Sequence, residues 1–67
     1  MLNKKRIGKK LIKLRGNKKL SETAKDIGVT VSALRNYEGG LRIPRDEIKI
    51  RIAHYYDSSV ENIFYLP

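Results

Sequence analysis

Gly28 is the position that most constrains how this chain folds, because it separates two short segments with helical spacing of their apolar residues. The stretch 24–38 reads AKDIGVTVSALRNYE. A glycine at such a junction supplies the left-handed backbone conformation that ends a helix, and the small Ala24 lets the second helix cross closely. We therefore predict two helices joined by a tight turn, a helix-turn-helix. The residues expected to face a shared core are Ile27, Val29 and Leu34.

The size and composition of the chain predict one small domain, spanning 1–67. A chain of 67 residues buries only about 60% of its unfolded surface, so a single core is marginal and self-association would help it. There are no cysteines, no signal peptide pattern and no apolar run near the roughly 20 residues of a membrane span. We expect a cytoplasmic protein.

The positive charge is concentrated at the amino-terminal end of the chain. The net charge is +8, and residues 1–19 hold nine of the 15 basic groups and no acidic one. The remainder carries six basic and seven acidic groups. Such a field implies a polyanionic partner, either nucleic acid or an anionic membrane surface. Charge alone does not choose between them.

The basic segment is itself predicted to be a helix, from Asn3 to Arg15. Its expected N-cap is Asn3, and Gly16 follows the last periodic residue as a stop signal. The apolar stripe is Ile7, Leu11 and Leu14. Lys9, Lys10 and Lys13 are expected to form a solvated face that supplies a long-range field. A membrane-surface helix is the weaker alternative, since the segment has no Trp or Phe.

Four further helices complete an all-α chain of five short helices. The second helix runs from about residue 19 to 27 and is capped by Asn17 or Ser21. The third, the recognition helix of about 31–38, begins at Thr30 or Val31 and runs to about Glu38, where Gly39-Gly40 stops it. The fourth, 46–56, buries Ile48, Ile52, Ala53 and Tyr56. The fifth, 60–65, follows a cap at Ser58 or Ser59.

Taken in order, these residues resemble the Xre/Cro-C1 helix-turn-helix family, the fold of the lambda-type phage repressors. The matching positions are Ile7-Gly8 to Leu14-Arg15, Ala24, Gly28, Val29-Thr30, Leu34, Tyr37-Glu38, Gly40, Arg42-Ile43-Pro44, Ile52-Ala53, Tyr56 and 59–64. The resemblance covers nearly the whole chain and implies a compact five-helix lambda repressor-like DNA-binding domain. Its helix-turn-helix is formed by the second and third helices.

Two positions depart from the family pattern. The residue before Ala24 is usually a large aliphatic one and here is Thr23. The position of Leu20 usually holds a glutamine that touches DNA phosphate, a contact that leucine cannot make. Leu20 is expected instead to fill some of the core volume that Thr23 leaves open.

The third helix supplies the predicted base contacts. With Leu34 and Tyr37 facing inward, the outward residues are Val31, Ser32, Arg35 and Asn36. The resemblance places base contacts at Val31, Ser32 and Asn36, with Arg35 close by. Asparagine pairs with adenine, arginine with guanine and serine with either, whereas valine can only pack on a thymine methyl group.

Phosphate contacts and one structural ion pair complete the expected site. The phosphate candidates are Lys18, Lys19, Thr30 and Arg42. In phage repressors the glutamate matching Glu38 bonds an arginine at the end of the first helix, which implies a partly buried pair with Arg15.

The function that the resemblance implies is a sequence-specific regulator of transcription, with repression the favoured effect, that binds double-stranded DNA at a palindrome as a homodimer. The dimer contact is expected from Ile63, Phe64, Tyr65 and Leu66, since exposed apolar residues there would be buried by a second copy. An antitoxin-type interaction module that binds DNA with the same fold is the alternative. One histidine and no cysteine leave no catalytic constellation. We expect no enzyme activity, cofactor, metal or small-molecule effector, and association with the nucleoid.

Overall fold

The computed structural model describes residues 2–67, and it folds them into five helices and no strand. The helices are α1 (Lys4–Arg15), α2 (Leu20–Ile27), α3 (Val31–Glu38), α4 (Asp46–Tyr55) and α5 (Glu61–Tyr65), the last being a single π-helical turn. The all-α, five-helix architecture is therefore confirmed. None of these helices has the length and apolar character needed to cross a membrane.

Side-chain caps fix the starts of three helices. Asn3 Oδ1 accepts a hydrogen bond from the Arg6 N–H at 3.0 Å, and Thr30 Oγ1 accepts one from the Ala33 N–H at 3.0 Å. Ser59 Oγ accepts from Asn62 N at 3.0 Å, which selects Ser59 over Ser58 as the cap. Neither expected cap of α2 is used, because the N-cap position is Lys19 and no side chain bonds there.

The turn between α2 and α3 has the geometry that the glycine predicted. Gly28 has φ 91° and ψ 34°, a left-handed conformation, and its N–H donates to the Ala24 carbonyl at 2.9 Å. The Val29 N–H donates to the same carbonyl at 2.9 Å. Arg51 of α4 also contacts this turn, because its Nη1 donates a hydrogen bond to the Gly28 carbonyl oxygen at 3.3 Å.

All five helices contribute to one core. Its buried apolar residues are Ile7, Leu11, Ala24, Ile27, Leu34, Tyr37, Ile48, Ile52, Ala53, Ile63 and Phe64. Leu20, Val29 and Tyr56 are half-buried and pack against it. Leu14, expected on the buried stripe of α1, is instead 38% exposed. The stripe ends one turn early because Arg15, rather than Leu14, faces the neighbouring helix.

Two buried hydroxyl groups have no hydrogen-bond partner within the described chain. Thr23 is fully buried, and its Oγ1 is unpaired. The Tyr56 hydroxyl is also unpaired, and burial raises the pKa of Tyr56 to about 12. Burying a hydroxyl without a compensating hydrogen bond is unfavourable, so both groups lower the stability of this small domain.

Helix α1 approaches the end of α3 closely at Gly8. A Cβ atom at Gly8 would lie 2.5 Å from the Glu38 carbonyl oxygen and 3.0 Å from the Gly40 nitrogen. Backbone atoms cannot yield by that much, so only glycine allows the two helices to meet here. A glycine inside a helix costs about 1 kcal/mol relative to alanine, and at this position the close contact offsets that cost.

An ion pair joins the same two helices at their carboxyl ends. Arg15 Nε lies 2.8 Å from Glu38 Oε2, and Arg15 Nη2 lies 3.1 Å from Glu38 Oε1, a two-point contact. Glu38 is buried and the Arg15 side chain is 21% exposed. The hydrogen bond to Glu38 raises the pKa of Arg15, so the guanidinium stays charged.

Two lysines hold the end of the chain against the core. Lys10 Nζ donates to the carbonyl oxygens of Asn62 and Leu66, at 2.6 and 3.1 Å. Lys10 therefore does not belong to the solvated face expected for it. Lys49, which is buried, donates to the Tyr65 hydroxyl at 2.9 Å, and this bond raises the pKa of Lys49.

This arrangement changes the expected dimer contact. Ile63 and Phe64 are 2% and 3% exposed, because both side chains fill the core of their own chain. They are not available to a second molecule. Of the four expected interface residues, only Tyr65 and Leu66 are exposed, at 55% and 44%.

Replacing Glu38 with glutamine is expected to destabilise the fold by about 1–3 kcal/mol, because it leaves Arg15 partly buried and unpaired. The estimate is below the roughly 3–5 kcal/mol of a fully buried pair since water still reaches Arg15. The measurement is urea unfolding. Asp46→Asn is the control, since it removes an ion pair with Lys49 whose carboxylate is 95% exposed. Equal midpoints for the wild type and Glu38→Gln would contradict a stabilising pair.

Thr23→Val is expected to raise the free energy of unfolding by about 1–3 kcal/mol. Valine has nearly the same shape and removes the unpaired hydroxyl. The same substitution at Thr30 removes the N-cap of α3 and should lower stability by about 1 kcal/mol. Thermal unfolding tests both predictions, since the melting temperature should rise in Thr23→Val and fall in Thr30→Val. A lower melting temperature for Thr23→Val would show that its hydroxyl finds a partner in solution.

Candidate nucleic-acid interface

One face of α3 presents hydrogen-bonding side chains to solvent. Leu34 and Tyr37 point into the core, which leaves Ser32 and Arg35 exposed and Asn36 half-buried. Within the described chain, these three side chains form no hydrogen bond or ion pair. Their donors and acceptors are therefore free for a partner. Ser32 and Asn36 lie one helical turn apart on this face.

Val31 is placed differently from the other three predicted base contacts. It is half-buried and packs against the core. Only part of its side chain faces outward, so its contribution to any contact is limited to a small apolar surface at the start of α3. Its contact with DNA stays a prediction.

The segment after α3 holds Arg42 close to the same face. The Asn36 carbonyl oxygen accepts from the Leu41 N–H at 3.0 Å and from the Arg42 N–H at 3.3 Å. Pro44 is buried and anchors the far side of the loop. Arg42 is exposed. The same loop exposes 67% of Leu41, an apolar side chain that the sequence analysis did not assign to any role.

The start of α2 and the start of α3 offer the groups expected to bind phosphate. Lys18 and Lys19 are exposed, and no side chain caps α2, so backbone N–H groups of its first turn remain open to an anion. Lys18 also lies over the Tyr55 ring, with its Nζ 4.9 Å from the ring centre. Thr30 uses its hydroxyl oxygen as the helix cap and keeps the hydroxyl proton free to donate.

The electrostatics of this face suit an anion. Glu38 is the one acidic residue in α3, and its carboxylate is paired with Arg15. The guanidinium also donates from Nη1 to the Lys18 carbonyl at 2.7 Å, which fixes the turn that carries Lys18 and Lys19. No group of three or more histidine, cysteine or acidic side chains suited to a metal ion occurs within residues 2–67.

Two supporting residues had weak or absent sequence signals. Arg51 braces the Gly28 carbonyl from α4, a contact across 23 residues that no local pattern reveals. Gly8 had a signal, since a glycine inside an amphipathic helix usually marks a close approach. The structure thus brings together α3, the 41–44 loop and the start of α2 as one candidate surface.

Solved structures show the same fold. The SOS-response transcriptional repressor LexA from Eubacterium rectale superposes with a TM-score of 0.84 at 24% identity, covering 91% of this chain and 67% of that chain. The clp gene regulator ClgR from Corynebacterium glutamicum gives a TM-score of 0.80 at 25% identity, covering 94% of this chain and 69% of that chain. A second ClgR structure gives 0.77 and 25%, with 94% and 84% covered.

The sequence comparisons add the family. No curated protein matches the chain significantly. A family model described as helix-turn-helix matches residues 9–63, which includes everything from the middle of α1 to the core residue Ile63. The matched region contains the Gly28 turn, the outward face of α3 and the Arg15–Glu38 pair. The chain belongs to the Xre/Cro-like helix-turn-helix family.

Proposed function

We propose that this protein is a sequence-specific regulator of transcription, a repressor, that inserts α3 into the major groove of double-stranded DNA. The observation that carries the proposal is the set of three side chains on one face of α3, Ser32, Arg35 and Asn36, with no hydrogen-bond or ion-pair partner in the described chain. The similarity to ClgR, a clp gene regulator, supports a role in transcription. The cytoplasm, at the nucleoid, is the corresponding location.

The chemistry of these side chains divides the work between them. Asn36 can pair bidentately with adenine and Arg35 with guanine, while Ser32 can serve either base. Val31 adds a small apolar contact suited to a thymine methyl group. Each bidentate pair discriminates against the wrong base by about 1–3 kcal/mol.

The flanking basic and hydroxyl side chains fix the position of α3 on the duplex. Arg42 lies beyond the end of α3, Thr30 caps its start, and Lys18 and Lys19 precede α2. Contacts from both sides of the reading helix to phosphates set its register in the groove without reading sequence. Because Arg15 neutralises Glu38, α3 meets the polyanion with no unpaired carboxylate of its own.

The proposed operator is a palindrome read by two copies. Helix-turn-helix domains of this docking mode read two half-sites about one helical turn apart. A stable dimer buries about 1,200–2,000 Å² in total, more than Tyr65 and Leu66 alone can supply. The dimer is therefore expected to be weak in free solution and to form on DNA.

Asn36→Ala should weaken binding to the selected operator by roughly 5- to 150-fold and relax base preference at one position, because it removes a bidentate contact worth about 1–3 kcal/mol. The measurement is a mobility-shift titration on duplexes selected from a random pool. Asn62→Ala is the control, since its amide group makes no hydrogen bond within residues 2–67 and it lies on α5.

A phosphate contact behaves differently in the same titration. Arg42→Ala should weaken binding to all sequences alike and reduce the log–log salt slope by about 1. Lys25→Ala, an exposed cation on α2 outside the proposed contacts, should change neither. If selection enriches no sequence and Asn36→Ala binds as well as the wild type, base reading by α3 is excluded.

Leu66→Asp should weaken association of two copies while leaving each copy folded, because only the exposed part of the tail changes. Ile50→Asp is the matched control, since Ile50 is an exposed apolar residue of α4 outside the proposed DNA contacts. Sedimentation of the protein with a palindromic duplex and with a single half-site measures the stoichiometry. Removal of residues 63–67 is unsuitable, since it would remove the core residues Ile63 and Phe64. One copy per palindromic duplex would exclude the homodimer.

A further inference from the structure

The outer side of α1 carries cations that neither the core nor the proposed interface uses. Arg6, Lys9 and Lys13, here called the α1 basic face, are all exposed. Their side chains form no hydrogen bond or ion pair with the rest of residues 2–67. Lys10, the next cation around the helix, is excluded because it binds the carbonyl groups of Asn62 and Leu66.

This face points away from the proposed reading helix. α1 contacts the end of α3 through Gly8 and Arg15. At 3.6 residues per turn, Lys9, Lys13 and Arg6 lie roughly 100°, 140° and 160° around the helix from Gly8. The outward residues of α3 lie on the side of that helix away from the core. The two surfaces therefore face in different directions.

Because the α1 basic face and the outward face of α3 face in different directions, a duplex seated on α3 is not expected to run along both. Exposed charges are screened over about 8 Å at physiological salt. DNA held by α3 therefore gains little from the α1 basic face, and the long-range field expected for these lysines is a weak explanation of three clustered, unpaired cations.

The charge and the buried apolar side of α1 favour DNA over a membrane as the partner of the α1 basic face. A membrane-surface helix inserts its apolar side into the lipid, and in α1 that side, with Ile7 and Leu11, is buried in the core. What remains is a row of cations spanning about 10 Å. A DNA strand carries one phosphate per about 3.4 Å of helix axis, so the row matches about three phosphates.

We propose that the α1 basic face binds the backbone of a second double-stranded DNA segment, without sequence preference, so that one protein molecule bridges two duplexes. This inference rests on the proposed function, because α3 must occupy the first duplex. With about three phosphates neutralised, the second contact should be weak alone and should show a log–log salt slope of about −3.

The test uses the full chain and two duplexes. A duplex containing the selected operator is fixed to beads, and a labelled duplex without it is added with protein at low salt. The wild type should retain the labelled duplex. Lys9→Gln/Lys13→Gln should retain at least about tenfold less, since two phosphate contacts are lost, and its operator affinity should change less than twofold. Circular dichroism confirms that the variant is folded.

A charge-matched variant separates a local surface from net charge. Lys25→Gln/Arg45→Gln removes two exposed cations elsewhere and should bridge as the wild type does. Three results would overturn the inference: operator binding without capture of the second duplex, equal capture by Lys9→Gln/Lys13→Gln, or equal losses in both variants. Equal capture together with lost binding to vesicles containing anionic lipid would assign the face to a membrane. Failure of the wild type to bind the fixed duplex refutes the proposed function itself, and the inference with it.

Discussion

The guanidinium of Arg15 is the interaction on which the arrangement of this domain depends. It bonds Glu38 at the end of α3 through two nitrogens and the Lys18 carbonyl through the third. One side chain therefore fixes α1, α3 and the turn before α2 relative to one another. The same contact neutralises the carboxylate in α3. A structural ion pair thus also sets the electrostatics of the surface that we propose faces DNA, and the two roles cannot be separated by mutation of Glu38 alone.

Three features of the domain lower its free energy of unfolding. Gly8 lowers the helix propensity of α1, and the hydroxyls of Thr23 and Tyr56 are buried without partners. Each feature costs on the order of 1 kcal/mol or more, which matters in a domain whose total stability is expected to be about 5–15 kcal/mol. Gly8 has a clear compensation, the close contact with α3. Nothing in the structure explains why Thr23 stands where an aliphatic residue would fit.

Local features of the sequence predicted the local features of the fold. The Asn3 cap, the left-handed Gly28 and the five helices follow from neighbouring residues, and the structure agrees with each. Apart from the cap of α2, the failures involve contacts between distant parts of the chain. Lys10 bonds carbonyl groups 52 and 56 residues away, and Ile63 and Phe64 fill a core built mainly by earlier helices. Periodicity shows which side of a helix is apolar, but it does not show which distant segment will cover it.

The positive charge of the chain therefore has several separate uses, although composition presents it as one number. Arg15, Lys10 and Lys49 stabilise the fold through hydrogen bonds within the chain. Arg35 on α3, with Lys18, Lys19 and Arg42 next to it in the fold, belongs to the proposed DNA surface, and Arg6, Lys9 and Lys13 lie on the outer side of α1. Screening over about 8 Å makes these last two groups electrostatically independent at physiological salt. As salt rises, the contact with fewer phosphates and no base contacts is lost first, so a bridged complex should revert to a simple operator complex before the operator itself is released.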